Sequence, residues 1–514
     1  MKSALNVVIL GGGTAGWMAA AGLSTLLPRS RCTVRLIESD EIGIVGVGEA
    51  TLPHMKNFND VVGIDEAEMM RRTQATFKLG IEFRDWGFLG SSYVHPFGMH
   101  GPPAGGLAFH HRWLRALQKG AAAPIEEYSY SVMAARQNRF DFPSANKSAI
   151  SSTYSYAYHF DASLYAAFLR SFAEARGVIR TEGKVKDVEL DGQTGNVLSL
   201  TLESGEVVTG DFFIDCSGFR SIILGEELGA DWEDWAQWLP CDRAFAVPSE
   251  RTGELTPYTR STAREAGWQW RIPLQHRTGN GYVFSSQFIA EDEAASALLA
   301  NLDAPALAEP RMLKFRAGRR VQSWRRNCVA LGLASGFLEP LESTSIYLIQ
   351  IAIMHLLPLL PSAGRSDPAL AAEFNRKMDL EYERIRDFLI LHYKLGSRDD
   401  AEIWKYCRDM PVPDSLMEKL ELFRHSGDIE QYRDGLFTLP SWLSVYIGQG
   451  LQPERYHPLA DGEPVDRLVS ELENLRTDIA DRIDEMPKHA AFIERYANAN
   501  EPTEMVLHEA EARL

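Results

Sequence analysis

The chain has 514 residues, enough to bury a large core, and its 45% hydrophobic and 24% charged content is that of a soluble globular protein. A net charge of −17 with no Lys/Arg run argues against a nucleic-acid partner. The longest apolar stretch, Ile346 to Leu360, is broken by Gln350, His355 and Pro358 and falls short of a membrane span; with no signal peptide at the start, a cytoplasmic protein away from membranes is expected.

In chain order, the apolar run Leu5–Leu10 reads as a first strand, followed by a turn of the form G-x-G-x-x-G with Gly11, Gly13 and Gly16 at the marked positions. A helix from Thr14 to about Leu27 follows. Gly11 allows the tight turn, Gly13 lets a diphosphate approach the backbone, and Gly16 lets helix and strand pack closely. The helix start, with Thr14 and Ala15 in its first turn, adds unpaired N–H groups and a positive dipole end. A second strand, Cys32 to Ile37, ends at Glu38, placed to accept hydrogen bonds from a ribose. Strand, glycines, helix, strand and acid together point to a dinucleotide site.

Gly46 to Pro53 is a glycine-laced segment of the kind that runs extended beside a cofactor. A helical region is expected from Ile64 to about Lys78, then a loop-like aromatic stretch to about Gly120. An amphipathic helix at Ala162–Ala175 leads into a small β-meander, including strands near 183–188, 197–202 and 206–208. Asp211 to Gly218 reads as a buried strand with a small-residue turn. This order suggests a Rossmann-like α/β fold that takes FAD, with a β-rich insertion from Trp232 to about Ser286. A last strand is expected at Val329–Ala334. From Ile346 the chain is mostly helical, with breaks near 411–415 and 435–461 and a solvated final helix. Two regions are expected, an FAD-binding module over 1–350 and a helical, substrate-covering region over 351–514.

Several residues have the chemistry for a site. Trp268 and Trp270, at i and i+2 of an extended segment, face one side and make either a rigid wall or a core pair. Lys78 stands between apolar residues, where a buried ammonium is costly and becomes a candidate donor or nucleophile. Glu342, in an apolar turn before a long helix, is a capping partner or a catalytic carboxylate. The histidines at 95, 100, 110 and 111 lack metal spacing, so no metal is expected. Cys32, Cys216, Cys241, Cys328 and Cys407 are scattered, as buried thiols in a reducing compartment are.

Taken together, G-G-G-T-A-G-W at Gly11–Trp17, G-V-G-E-A-T-L-P at Gly46–Pro53, Lys78, W-x-W-x-I-P at Trp268–Pro273 and Glu342-Ser343-Thr344 resemble the flavin-dependent halogenases, especially the tryptophan halogenase branch. The resemblance implies reduced FAD supplied transiently by a separate flavin reductase, and halide oxidised to hypohalous acid. Lys78 would present the electrophilic halogen to a small aromatic substrate, and Glu342 would stabilise the ring cation or take its proton. It further implies cofactor contacts at Gly48, Glu49, Ala50, Val185, Leu333 and Ile346, and halide held by the N–H groups of Thr344 and Ser345. The family usually has glycine where Ser345 stands, which leaves chloride against bromide open. His95 and Phe97 match positions that sandwich an indole; Trp268, Trp270 and Ser343 complete the substrate side. Ser441 to Tyr446 shows no match to the residues that hold an amino-acid group, so indole or another electron-rich aromatic is expected over free tryptophan. The same fold also serves FAD aromatic monooxygenases and flavin-binding proteins without catalysis. A homodimer is an open assembly state.

Overall fold

The computed structural model describes residues 4–41, 48–361, 367–432 and 435–497. They form two compact units of three stretches each: 1–75, 160–243 and 313–386 in the first, and 76–159, 244–312 and 387–514 in the second. Position 350 falls inside the helix Thr344–Leu356.

The first unit is built on a six-stranded sheet in the order Trp324–Arg325, Cys328–Ala330, Phe212–Asp215, Leu5–Leu10, Cys32–Glu38, Ile179–Glu182. All its pairings are parallel except the edge pair Trp324–Arg325 with Cys328–Ala330. Parallel strands are covered on both faces, which is why Leu5–Leu10 and Phe212–Asp215 are nearly continuous apolar runs. The helix Thr14–Leu26 packs on Ala162–Ala175 and on Thr344–Leu356. The helix Ala162–Ala175 starts where expected because Asp161 caps it, accepting from the N–H groups of Ser163 and Leu164. The meander Val185–Leu190, Val197–Leu202, Val207–Thr209 buries Val188, Leu200 and Val208 against Val8, Leu10 and Ile37.

In the second unit the strands Thr278–Phe284, Gly267–Pro273, Thr259–Arg264, Gly80–Arg84 and Ser92–Pro96 lie side by side in that order. The two tryptophans and the proline of W-x-W-x-I-P therefore stand on an interior strand. Helices Phe109–Gln118, Tyr130–Arg136 and Val465–Glu485 pack together in the same unit.

The expected Rossmann-like α/β fold with a β-rich insertion and a helical C-terminal region is what the chain adopts. Several local expectations are corrected. The helix expected to reach Lys78 is Glu66–Thr73 and ends at Gln74, whose φ of 55° is left-handed. The β-favouring pair Thr76-Phe77 then starts a strand, Thr76–Lys78, antiparallel to Ala157–His159. The loop-like stretch to Gly120 holds the strands Gly80–Arg84 and Ser92–Pro96 and a helix. Gly80–Arg84 is buried on both faces, which erases the alternation that marks a half-buried strand. The strand expected at Val329–Ala334 is only Cys328–Ala330, after which Gly332–Ala334 forms a tight helical turn and a two-residue strand, Gly336–Phe337, follows. The break near 435–461 contains the helix Leu439–Gly448, where Pro440 occupies the first turn instead of ending a helix. Gly46 and Val47 of the glycine-laced segment, and the final helix beyond 497, lie outside the described residues.

Candidate active site

In the first unit the strand Leu5–Leu10 feeds the glycine turn. Gly11 has φ +112°, and a side chain there would overlap the carbonyl of Cys216; one at Gly16 would overlap the carbonyl of Gly11. At Gly13 a Cβ would meet nothing within 4 Å, so its backbone is open. Gly13 is also the N-cap of Thr14–Leu26, whose first N–H groups have no acceptor within the helix. A closely packed turn with one open glycine at a helix start fits the diphosphate of FAD.

Glu38 closes the second strand, and its carboxylate is already engaged. It accepts from Trp17 Nε1 at 3.2 Å, from Arg180 Nε at 2.5 Å and from Arg170 at 3.4 Å. Gly12 is constrained by the same group, since a side chain there would run into the Glu38 carboxylate. Sequence reasoning missed the two arginines. Arg180 reaches Glu38 through the parallel pairing of Cys32–Glu38 with Ile179–Glu182, a signal no local spacing carries.

The other cofactor expectations also fall in this unit. Gly48–Ala50 forms a short strand, and burial pushes the Glu49 carboxyl up to about 7. Val185 is half-buried against the cluster of Leu10 and Ile37. A Cβ on Gly332, whose φ is +62°, would stand 2.9 Å from that of Ala15 and 3.5 Å from Ile349. The turn bearing Leu333 thus touches both the glycine-motif helix and the helix that bears Ile346.

Between those elements the backbone is strained. Glu339, Glu342 and Ser343 have φ of 71°, 62° and 59°. A left-handed non-glycine residue costs about 1–2 kcal/mol, and such costs gather where function demands a particular geometry. Glu342 is 2% exposed. Ser343 is the N-cap of Thr344–Leu356, so Thr344 and Ser345 stand in the first turn, at the positive end of the dipole.

In the second unit Lys78 is fully buried, its Nζ 5.1 Å from the centre of the Phe97 ring. The rings of His95 and Phe97 lie 6.2 Å apart at 82°. His95 also meets Phe388 at 5.7 Å and Phe437 at 6.0 Å, and those two stack at 3.8 Å. Nothing in the sequence ties positions 388 and 437 to 95, so these two aromatics were not foreseen. Trp268 and Trp270 lie 6.2 Å apart, Trp268 resting on Trp86 and Trp270 filling the space beside Gly281. Structure therefore brings Lys78, His95 and Phe97 together in one unit, and the glycine turn, Leu333 and Glu342–Ile346 in the other. His110 bonds the Gly427 carbonyl through Nε2, and among the described residues no group of three or more His, Cys, Asp or Glu is arranged to hold a metal.

Comparison with known proteins decides the family. The tryptophan halogenase family model matches residues 6–464. The chain belongs to the tryptophan halogenase family. The halogenase is 35% identical to the tryptophan 6-halogenase SttH of Streptomyces toxytricini over 497 residues, 89% of this chain and 92% of that one. Its fold superposes on Xcc4156, a flavin-dependent halogenase from Xanthomonas campestris, with a TM-score of 0.93 and 46% identity, covering 98% of this chain and 100% of that one. BrvH, a flavin-dependent halogenase from Brevundimonas sp. BAL3, gives 0.92 and 45%, covering 96% and 99%. The halogenase is a flavin-dependent enzyme whose cofactor is FAD.

Proposed function

We propose that this halogenase installs chlorine or bromine on an electron-rich aromatic, an indole or indole derivative, by electrophilic substitution. The observation that carries the reading is Lys78, a fully buried lysine packed against Phe97 beside His95. An ammonium removed from water is retained where its charge is used, and here it borders rings suited to stacking a flat substrate.

Gly11–Gly16, Glu38, Gly48–Ala50, Val185, Leu333 and Ile346 are the residues to hold FAD. When bound in reduced form, delivered by a separate flavin reductase, FAD supplies the oxygen chemistry that converts halide into hypohalous acid. Thr344 and Ser345 hold the halide with N–H groups at the helix start. Lys78 donates a hydrogen bond from Nζ to the oxygen of hypohalous acid, which polarises the oxygen–halogen bond toward the substrate; as that bond breaks, the oxygen takes the lysine proton and leaves as water. His95 and Phe97 keep the ring flat, with Ser343 as a polar substrate contact. As the ring carbon takes the halogen, the Glu342 carboxylate stabilises the positive charge and accepts the proton from that carbon. Trp268 and Trp270 keep organic substrate from the flavin. The helices after residue 350 cover the substrate.

Relatives such as SttH are named for tryptophan. Here Ser441–Tyr446 lies buried in the helix Leu439–Gly448, and the rings around His95 are aromatic, which favours a neutral indole over a zwitterion. The protein incubated with FAD, a flavin reductase, NADH, oxygen and bromide or chloride is expected to yield halogenated indole by mass spectrometry. Hydroxylated product without halogenation would overturn the reading.

A further inference from the structure

The three-residue strand that carries Lys78 has little ladder of its own, yet polar side chains grip it from behind. The Thr76 hydroxyl donates to the carbonyl of Pro273 at 2.7 Å, which leaves its oxygen to accept from His159 Nδ1 at 2.9 Å. With its proton on Nδ1, His159 uses Nε2 to accept from the Thr259 hydroxyl at 3.0 Å. One residue along, the Phe77 N–H donates to His489 Nε2 at 3.1 Å, and His489 Nδ1 donates to the Leu255 carbonyl at 2.9 Å. Thr76, His159 and His489 are all fully buried. Burial, with the charges of Lys78 and Arg271 nearby, holds His159 far below the usual imidazole range and so neutral, the form this bonding pattern requires.

Part of this bonding answers backbone groups, the Phe77 N–H and the Leu255 and Pro273 carbonyls, whereas the Thr76–His159 and His159–Thr259 bonds join side chains only. The His489 end lies among rings, where Phe77 stacks on Phe140 at 4.0 Å and Phe140 meets His489 at 5.9 Å. Apolar side chains at 159 and 259 would pack without the cost of burying an imidazole and a hydroxyl, which is recovered only if every partner is in place. What the chain does accomplish is a tie between the lysine strand and Pro273, the last residue of the tryptophan strand. A site built on side chains must hold them to within a fraction of an ångström, and a misplacement of about 1 Å costs about 100-fold in rate.

We propose that His159, acting through Thr76, is a positioning residue that sets where Lys78 stands relative to the Trp268–Pro273 strand. The proposal rests on the reading that Lys78 delivers the halogen, and the experiment separates the two. With reductase, FAD, bromide and indole, two quantities are measured: halogenated indole, and hypohalous acid captured by an added soluble trap. Thr76→Val, which keeps the shape of the side chain, and His159→Leu are expected to lower halogenated indole by about 10- to 100-fold while trapped hypohalous acid and FAD binding persist. Thr76→Ser and His159→Asn keep a donor or acceptor near the lost atom and are expected to recover most of the product.

Product unchanged in Thr76→Val, or lost together with trapped acid, overturns the proposal; so does Thr76→Ser failing as badly as Thr76→Val. Should His159→Leu not fold, the two Thr76 variants decide. Lys78→Ala run alongside tests the underlying reading: full activity there removes Lys78 from the chemistry, whereas loss there with normal Thr76→Val and His159→Leu leaves Lys78 in place and rejects the tie.

Discussion

The indole of Trp270 occupies the space that a side chain on Gly281 would need, the two residues facing each other across adjacent antiparallel strands. A methyl group at position 281 would overlap the ring system. Gly281→Ala is expected to cost about 1–3 kcal/mol, the usual range for overpacking, and to lower the melting temperature. A variant that melts with the parent protein would show that Trp270 is not locked against that strand.

Lys78→Ala removes the buried ammonium beside Phe97. Aryl halogenation is expected to fall by about 100- to 10,000-fold, the range of a positioned proton donor, with FAD binding intact. FAD titration followed by product analysis checks both halves, and retained halogenation would take Lys78 out of the mechanism.

Glu342 combines a left-handed backbone with a buried carboxylate. Glycine is at ease in that conformation, so Glu342→Gly relieves about 1 kcal/mol of strain while deleting the acid. The variant is expected to melt no lower than the parent and to lose halogenation. A variant that keeps full activity would leave Glu342 a turn residue alone.

Glu38 is held by Trp17, Arg170 and Arg180 before any ribose reaches it. On the proposed reading, Glu38→Ala removes an acceptor for ribose hydroxyls, and it takes from Arg170 and Arg180 the carboxylate they share. FAD affinity is expected to weaken about 10- to 100-fold, the worth of hydrogen bonds to a charged group. Fluorescence titration with FAD measures it, and an unchanged dissociation constant would place the ribose elsewhere.

His100 is 4% exposed, and among the described residues neither ring nitrogen has a hydrogen-bond partner. Burial first, then His95 and His110, push its pKa down to about 3, whereas in the unfolded chain it takes a proton below about 6.5. The unfolded chain therefore binds the extra proton, and stability falls as pH drops from 6.5 toward 3. His100→Phe is expected to flatten the melting curve against pH across that window and to cost nothing near neutrality, because the unpaired polar atoms leave with the ring. An unchanged slope would count against a neutral, buried His100.

How much was legible depended on the distance over which each signal acts. The strand, glycine turn and helix from Leu5 to Leu26 announce themselves locally, by period and by glycines whose side chains have nowhere to go. Glu38 was visible as an acid at a strand end, but Arg170 and Arg180 reach it only after the sheet has formed. The strand at Thr76–Lys78 is hidden in the sequence because its partner, Ala157–His159, lies some eighty residues away in the chain and leaves no local periodicity. Phe388 and Phe437 surround His95 through tertiary packing alone. Glu342 stands out in the sequence by its chemistry, whereas its backbone strain exists only as a torsion angle of the folded chain.

The alternation of the two units along the chain limits how this halogenase can exchange parts with its relatives. The chain passes from one unit to the other after Ala75, His159, Arg243, Met312 and Arg386. The last four of these passages lie inside the strands Ala157–Asp161, Arg243–Ser249 and Arg311–Lys314 and the helix Pro368–Lys394. A chimera that swaps everything after residue 350 replaces a piece of each unit at once, the stretch to 386 in the first and all that follows in the second. Recombination at a single crossover therefore cannot transplant either unit whole; grafting one unit takes five matched crossovers, four of them within regular elements.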